Sequence, residues 1–349
     1  MFDETKAIID KLKVTRSLSL TEWAKAVTGF SPDTARYGAR IALAERERVY
    51  GRDVYIRGLI EISNYCKNNC LYCGIRRENK KCDRYRLTED EILACCKEGY
   101  ALGFRTFVLQ GGEDPYFTDD VLCRVISEIK RRYGDCAVTL SLGERSFESY
   151  KRLFLAGADR YLLRHETANK EHYKQLHPSD MSYDNRINCL KALREIGFQV
   201  GCGMMVGSPY GTAENLAEDL KFIEEFSPDM CGIGPFIPHA DTPFADFPAG
   251  SGELTCYLLS LLRIQKPNIL LPATTALATV DNLGREKGLL AGANVVMPNL
   301  SPVSVRKKYS LYDNKACTGE EAAECVRCLS SRVKNAGFHI VENRGDIKN

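Results

Sequence analysis

Excess charge of either sign is missing from this sequence. Its 48 lysines and arginines nearly balance 46 aspartates and glutamates, leaving +2 over 349 residues. No bulk field therefore recruits nucleic acid or a membrane surface, and no basic stripe interleaved with aromatics suggests otherwise. Long apolar runs are missing too. The longest, ILLPATTALATV (269–280), is too short to span a bilayer and contains Pro272. The first residues, MFDETKAIIDKLK, read as an amphipathic helix and carry charges where a signal peptide needs an apolar core. A cytoplasmic protein is the expectation. No low-complexity linker divides the chain, and no G-x-G-x-x-G opens a helix after the first predicted strand, which leaves a Rossmann domain unsupported. Nor is there a Ser-His-Asp or paired-acid hydrolase set. Of five histidines only His165 and His239 fall at strand ends, and His165 reads as a supporting residue.

Cysteine, by contrast, is abundant. Fifteen in a chain of this size do not fit a disulfide scaffold, which is normally short and secreted, and an odd number leaves at least one thiol unpaired. Nine are scattered; Cys95, Cys96, Cys189 and Cys256 are examples that read as small buried hydrophobes in a reducing compartment. The other six form two groups, Cys66-x3-Cys70-x2-Cys73 and Cys317-x7-Cys325-x2-Cys328.

Apolar content of 44% is enough for a large core. From residue 54 onward, β-branched runs alternate with helical stretches. Strands are predicted at 54–62, 106–113, 137–143, 160–166, 199–207, 230–236, 269–276 and 294–299. Between them fall helices: one capped by Thr88 with Glu91 completing a capping box, and others near 119–133, 146–156, 184–196, 213–226, 253–265 and 282–291. Gly157, Gly197 and Gly292 stand where helices should stop. Eight such units predict an α/β fold, a (β/α)8 TIM-type barrel, with an open doubly wound sheet as the rival. Residues 1–50 form an N-terminal helical extension with a further capping box in SLTEWAKAV, 51–300 the barrel, and 301–349 a C-terminal extension bearing the second cysteine group.

Chemistry in such a barrel sits at the C-terminal strand ends. The unusual residues collect there: the Cys66 loop after strand 1, QGGED after strand 2, Ser141 and Glu144 after strand 3, and Arg164, His165 and Glu166 after strand 4. Met204 and Met205 follow on strand 5, Thr274 and Thr275 on strand 7. Thiolates are soft ligands for zinc, Cu(I) or iron–sulfur clusters. A structural zinc site wants a fourth ligand, for which only Cys82 is at hand, and an electron-transfer cluster normally takes four cysteines. A [4Fe–4S] cube on three leaves one iron open to a substrate or cofactor.

The C-x3-C-x2-C spacing, with Tyr72 just before the third cysteine, resembles the radical S-adenosylmethionine (SAM) signature. That resemblance implies that Cys66, Cys70 and Cys73 hold a [4Fe–4S] cluster whose open iron is chelated by SAM, with Tyr72 beside it. It implies that Gly111, Gly112 and Glu113 engage the SAM amino group. It further implies that Ser141, Glu166 and Arg186 complete the cofactor site, the last two as a pair fixing ribose and carboxylate.

Within that superfamily NNCLYCGIRR, VLQGGEDPY, GADRYLLRHETAN, GIGPFIPHADTP and GANVVMPN are similar to the HydE type of [FeFe]-hydrogenase maturase. The resemblance implies a radical SAM enzyme acting on a small iron complex bearing cysteine, CO and cyanide during H-cluster assembly. Thr139, Arg164, Met204, Thr274, Thr275, Tyr309 and Tyr312 would line its cavity. Cys317, Cys325 and Cys328 would hold an accessory [2Fe–2S] or [4Fe–4S] cluster. The implied partners are the maturases HydG and HydF and an electron donor. Alternatives stay open: methylornithine synthase or biotin synthase chemistry, a cluster-carrying redox or scaffold protein without catalysis, and a zinc-stabilised barrel. Biotin synthase needs a second cluster on cysteines from several strands; only Cys202 lies well inside a predicted strand, with Cys136 and Cys231 near strand starts.

Overall fold

The alternation of β-branched and helical segments closes into a ring of parallel strands. A computed structural model describes residues 2–316 and 322–348, apart from the side chains of 322–325. The first barrel strand comes in two pieces, Asp53–Ile56 and Gly58–Ser63. Thr106–Gly111, Ala137–Ser141, Arg160–Leu162, Gln199–Cys202 and Met230–Cys231 follow it side by side. Short extensions Met205–Val206 and Gly234–Pro235 pair with each other nearer the rim. Bridges from Met230 to Leu270 and from Pro272 to Val295 carry the ring onward. Tyr55 opposite Val295 and Leu59 opposite Asn299 close it.

The seventh strand departs from expectation. Residues 269–276 make only those single bridges, because Pro272 has no N–H to donate and Thr274 leaves the strand to cap a helix. Its hydroxyl accepts from Leu277 N at 3.4 Å, so Thr275, read as strand, is the first residue of the helix Thr275–Val280. Elsewhere the local signals hold. Thr88 with Glu91 and Ser19 with Glu22 form capping boxes, and Gly157, Gly197 and Gly292 take φ of +109°, +109° and +107° at helix ends. The helices Phe2–Thr15, Leu20–Thr28 and Pro32–Tyr50 precede the barrel and pack on its flank. Trp23 Nε1 donates to Glu224 at 3.0 Å and Tyr257 O–H to Ala26 O at 2.9 Å. Cys95, Cys96 and Cys189 are buried, and all thirteen described cysteine side chains are free. Among the described residues, no helix is long and apolar enough to cross a membrane.

Chain beyond residue 300 closes both ends of the barrel, a role no local pattern announced. Residues 307–316 cross the rim: Asn64 Nδ2 donates to Lys308 O at 2.7 Å, Gly74 N to Leu311 O at 2.8 Å, Asp313 N to Pro238 O at 3.1 Å and Ala316 N to Thr279 Oγ1 at 3.1 Å. After the helix Ala322–Asn335, the strand His339–Val341 pairs parallel with Asp53–Ile56 on the flank away from Val295–Val296. The tail then plugs the opposite end. Fully buried Arg160 donates to Thr106 Oγ1 at 3.0 Å and Arg344 O at 2.9 Å and pairs with Asp346, while Arg57 Nη2 reaches Gly345 O at 3.3 Å.

Candidate functional site

The loop that follows Gly58–Ser63 has little regular structure of its own, so neighbours hold it. Lys67 N donates to Glu113 O at 2.9 Å, Leu71 N to Leu176 O at 3.0 Å, and Arg84 donates to Ile75 O at 2.8 Å and Arg76 O at 2.6 Å. Strand 2 must pass close beneath, which is why its end is glycine. Gly112 N donates to Ser63 O at 3.1 Å, and a Cβ at 112 would run into Tyr65 O and lie 2.8 Å from Cys66 Cβ.

This stitching brings Cys66, Cys70 and Cys73 within electrostatic reach of one another. Burial pushes all three thiols up, Cys73 to about 12, and the neighbouring sulfurs raise Cys70 and Cys73 further. Among the described residues, no three His, Cys, Asp or Glu side chains converge on one ion-sized point. Cys82, the fourth ligand a zinc site would ask for, sits instead against Asn64 Nδ2 at 3.5 Å.

Around the thiols stand the residues the motifs singled out. Tyr72 is half-buried over Cys70; its ring meets His177 edge-on at 5.4 Å and its O–H donates to His177 Nε2 at 3.2 Å. Glu113 lies beside Cys66, its carboxylate accepting from Glu144 N at 2.9 Å and pairing with Lys67 at 3.2 Å. Gly143, at φ +74°, makes room for that side chain, since a Cβ there would strike it. Gly111 and Ser141 end the second and third strands. Glu166 and Arg186 both face Cys70, but they do not pair with each other. Arg186 Nε binds Glu144 at 2.5 Å and Nη1 binds Arg164 O at 2.8 Å, whereas Glu166 lies 3.2 Å from Arg164 Nη2. Glu166 itself has φ +67°, held by Glu166 N to Gly203 O at 3.0 Å and Met205 N to Glu166 O at 3.3 Å. Such a strained carboxylate at a strand end is a mark of functional sites.

The cavity residues divide. Thr139 and Met204 are buried, Arg164 is half-buried with Nη2 on Met204 O at 2.7 Å, and Tyr309 is buried with its hydroxyl accepting from Gln110 Nε2 at 3.3 Å. Burial pushes Tyr312 up to about 12. Thr274 and Thr275 are spent on the helix start described above. Glu166 Oε2, Arg164 Nε and Thr139 Oγ1 are buried without a hydrogen-bond partner among the described residues. Two of these atoms, Arg164 Nε and Thr139 Oγ1, have no polar partner at all among the described residues, and Glu166 Oε2 has only its ion pair with Arg164; such polar atoms leave room for a small polar ligand, because buried polar groups otherwise find partners. In the accessory group, Cys317 and the Cys325 side chain lie outside the described residues, and Cys328 is exposed on its helix.

Glu144, placed at a strand end by sequence but given no role there, orients both Arg186 and Glu113. Other participants escaped sequence reading: His177 carries Tyr72, and Met181 Sδ lies 3.6 Å from Cys70 Sγ. Glu61, almost fully buried on the first strand, binds Asn299 Nδ2 at 2.9 Å and pairs with Lys315 from the rim segment. A carboxylate flanked by Leu59, Ile60 and Ile62 on a strand was the one signal available for it.

Comparison with known proteins agrees with this geometry. The radical SAM superfamily model matches residues 60–223. The [FeFe] hydrogenase maturase subunit HydE of Thermotoga maritima is 47% identical over 84% of this chain and 83% of its own. The 3-methylornithine synthase of Methanosarcina barkeri is 30% identical over 84% and 82%. Among solved structures, methylornithine synthase (PylB) superposes with TM-score 0.84 at 26% identity over 96% of this chain and 97% of its own. HydG, a maturase of the [FeFe]-hydrogenase, gives 0.81 over 98% and 76% at 22% identity, a likeness that speaks to the fold alone. Rim-end thiols on a closed barrel, a radical SAM match and this degree of identity together mean that the chain is a radical SAM enzyme and belongs to the HydE family of [FeFe]-hydrogenase maturases.

Proposed function

We propose that Cys66, Cys70 and Cys73 hold a [4Fe–4S] cluster with S-adenosylmethionine beside it, and that the site processes a small iron complex carrying cysteine, CO and cyanide toward the hydrogenase H-cluster. The observation that carries this reading is three half-buried free thiols on one rim loop, within electrostatic reach of Glu166 and Arg186. When bound, a reduced cluster on these thiolates would supply one electron to the sulfonium of SAM, whose C–S bond would break to give methionine and a 5′-deoxyadenosyl radical.

The remaining work belongs to the chain. Gly111, Gly112 and Glu113 receive the cofactor's amino group on backbone and carboxylate. Glu166, whose Oε2 has no hydrogen bond among the described residues, accepts ribose hydroxyls. Arg186 has Nε and Nη1 committed to Glu144 and Arg164 O, which aims its remaining nitrogen for a carboxylate. Tyr72, Ser141 and Met204 complete the wall. Thr139, Arg164, Tyr309 and Tyr312 offer hydroxyls and a cation to an anionic substrate; Thr274 and Thr275 contribute only from the helix start. Residues 307–316 cover the rim, which keeps water and stray hydrogen donors from a reactive radical. Cys317, Cys325 and Cys328 take a second cluster. HydG and HydF are the partner maturases, and the reducing cytoplasm is the compartment, in keeping with the free described cysteines.

The test is anaerobic reconstitution with dithionite and SAM. The protein should release 5′-deoxyadenosine; Cys66→Ala, Cys70→Ala and Cys73→Ala should each abolish release, and Cys328→Ala should retain it. Persistent cleavage in Cys70→Ala defeats the three-thiolate site. Deoxyadenosine release that is unaffected by the iron complex but coupled to formation of 3-methylornithine favours methylornithine synthase chemistry.

A further inference from the structure

Near neutrality hides an uneven distribution of charge. Between Tyr65 and Arg86 the chain carries seven lysines and arginines against two acids, while the rest of it carries 41 against 44. That stretch is the cysteine loop. Lys67, Arg77, Lys80, Lys81 and Arg86 are exposed. Some are neutralised by neighbours: Lys67 by Glu113 at 3.2 Å, Arg86 by Asp114 at 2.7 Å and Lys81 by Asp241 at 2.7 Å. Arg77 and Lys80 have no ion pair among the described residues, and Arg77 lies over the backbone of Lys67, with its Nη1 on Lys67 O at 3.1 Å. Beside them an arginine is sandwiched between exposed aromatics. The Arg86 guanidinium is 3.8 Å from the Tyr65 ring centre and 4.9 Å from that of Tyr116, rings that are 36% and 53% exposed. Arginine with tyrosine, kept at the surface, is the composition of interface anchors.

We propose that this face of the loop is the docking surface for an acidic, one-electron carrier protein. The proposal rests on the cluster reading above and names that site's reductant. Tyr65 and Lys67 flank Cys66 in the chain, so a partner seated on them is one residue from a cluster ligand. One electron leaves the carrier, which is oxidised by one, and the cluster gains it; no atom moves between them. A local positive field in an otherwise slightly negative molecule both steers an acidic carrier and sets its orientation.

The probe is a reduced, acidic FMN flavodoxin, titrated calorimetrically into the reconstituted protein at about 0.01 M and about 0.15 M ionic strength, where screening lengths are about 30 Å and about 8 Å. Binding should be clear at the lower salt and weaken steeply at the higher. Lys80→Glu combined with Lys81→Gln should weaken it about tenfold at low salt and converge with the parent at high salt. Tyr116→Ala should weaken it several-fold while leaving the salt slope unchanged. Lys151→Glu, on an outer barrel helix, should bind as the parent does. Absence of binding at low salt, or equal weakening by Lys151→Glu and the loop variants, overturns the proposal. Dithionite bypasses the carrier. If it drives deoxyadenosine release equally in parent and loop variant, the catalytic reading survives whichever way docking falls; if it drives none, that reading fails while docking stands on its own titrations.

Discussion

Gly112 shows how little space separates the second strand from the cysteine loop. A methyl group there meets the backbone oxygen of Tyr65 and the Cys66 Cβ, an atom bonded directly to the backbone, so neither can swing aside as a side-chain tip would. Gly112→Ala should therefore keep a folded barrel by circular dichroism yet lose most of its iron and its visible charge-transfer absorbance on reconstitution. His177 is a second residue whose effect can be read from its surroundings. Burial pushes it down to about 3, and it is held neutral between Tyr173 O at 2.9 Å and the Tyr72 O–H. Because its folded value lies below the unfolded one near 6.5, its contribution to stability is complete above about pH 6.5 and is lost as pH falls toward 3. The slope it adds is at most about 1.4 kcal/mol per pH unit. Denaturation midpoints compared at pH 7 and pH 5 should fall less in His177→Gln than in the parent.

At the scale of elements, the segment 307–316 is the piece whose behaviour the geometry constrains most. It has almost no regular structure, and its hold on the rim is a handful of hydrogen bonds, a surface pair of Lys308 with Asp83 at 2.9 Å, an approach of Asp313 to His239 at 3.7 Å, and a pair driven into the barrel, Lys315 to Glu61. The two side chains are 10% and 1% exposed, so removing the ammonium strands a buried carboxylate. Lys315→Met should cost about 3–5 kcal/mol. Much of that should return when Glu61→Gln is added, since a neutral amide needs no counter-charge. Hydrogen exchange should quicken first within 307–316 in the single variant; uniform quickening across the barrel would show that the pair stabilises the whole fold and does not specifically secure the rim segment.

For the whole molecule, both ends of the barrel are closed by chain that lies far away in sequence. The tail puts Asp346 against Arg160, and Gln199 Nε2 reaches the same carboxylate at 3.0 Å. Asp346→Asn leaves a fully buried guanidinium without its anion, although Thr106 and Arg344 O still accept from it. A loss of about 2 kcal/mol is expected in the denaturation midpoint. The plug and the thiols sit at opposite ends of the strands, so cluster absorbance and SAM-dependent optical changes should be those of the parent.

Sequence alone determined the parts of this protein that local chemistry encodes. Strand-helix alternation predicts eight parallel units, Thr88 and Ser19 predict helix starts, Gly157, Gly197 and Gly292 predict stops, and the Cys66, Cys70, Cys73 spacing predicts a loop for soft metal chemistry. Each of these signals acts over a few residues, so it survives without knowledge of the fold. What the alternation could not decide is where a strand gives way to bridges, as at Pro272, or whether Thr275 belongs to strand or helix, because tertiary hydrogen bonding arbitrates there. Tertiary structure alone decided that Arg186 is oriented by Glu144 and not by Glu166, that Lys315 ends on Glu61, and that Arg160 meets Asp346. Those pairs join residues 42, 254 and 186 positions apart. No periodicity links such distant positions; only closing the ring brings their charges together, and burial then makes each partner necessary to the other.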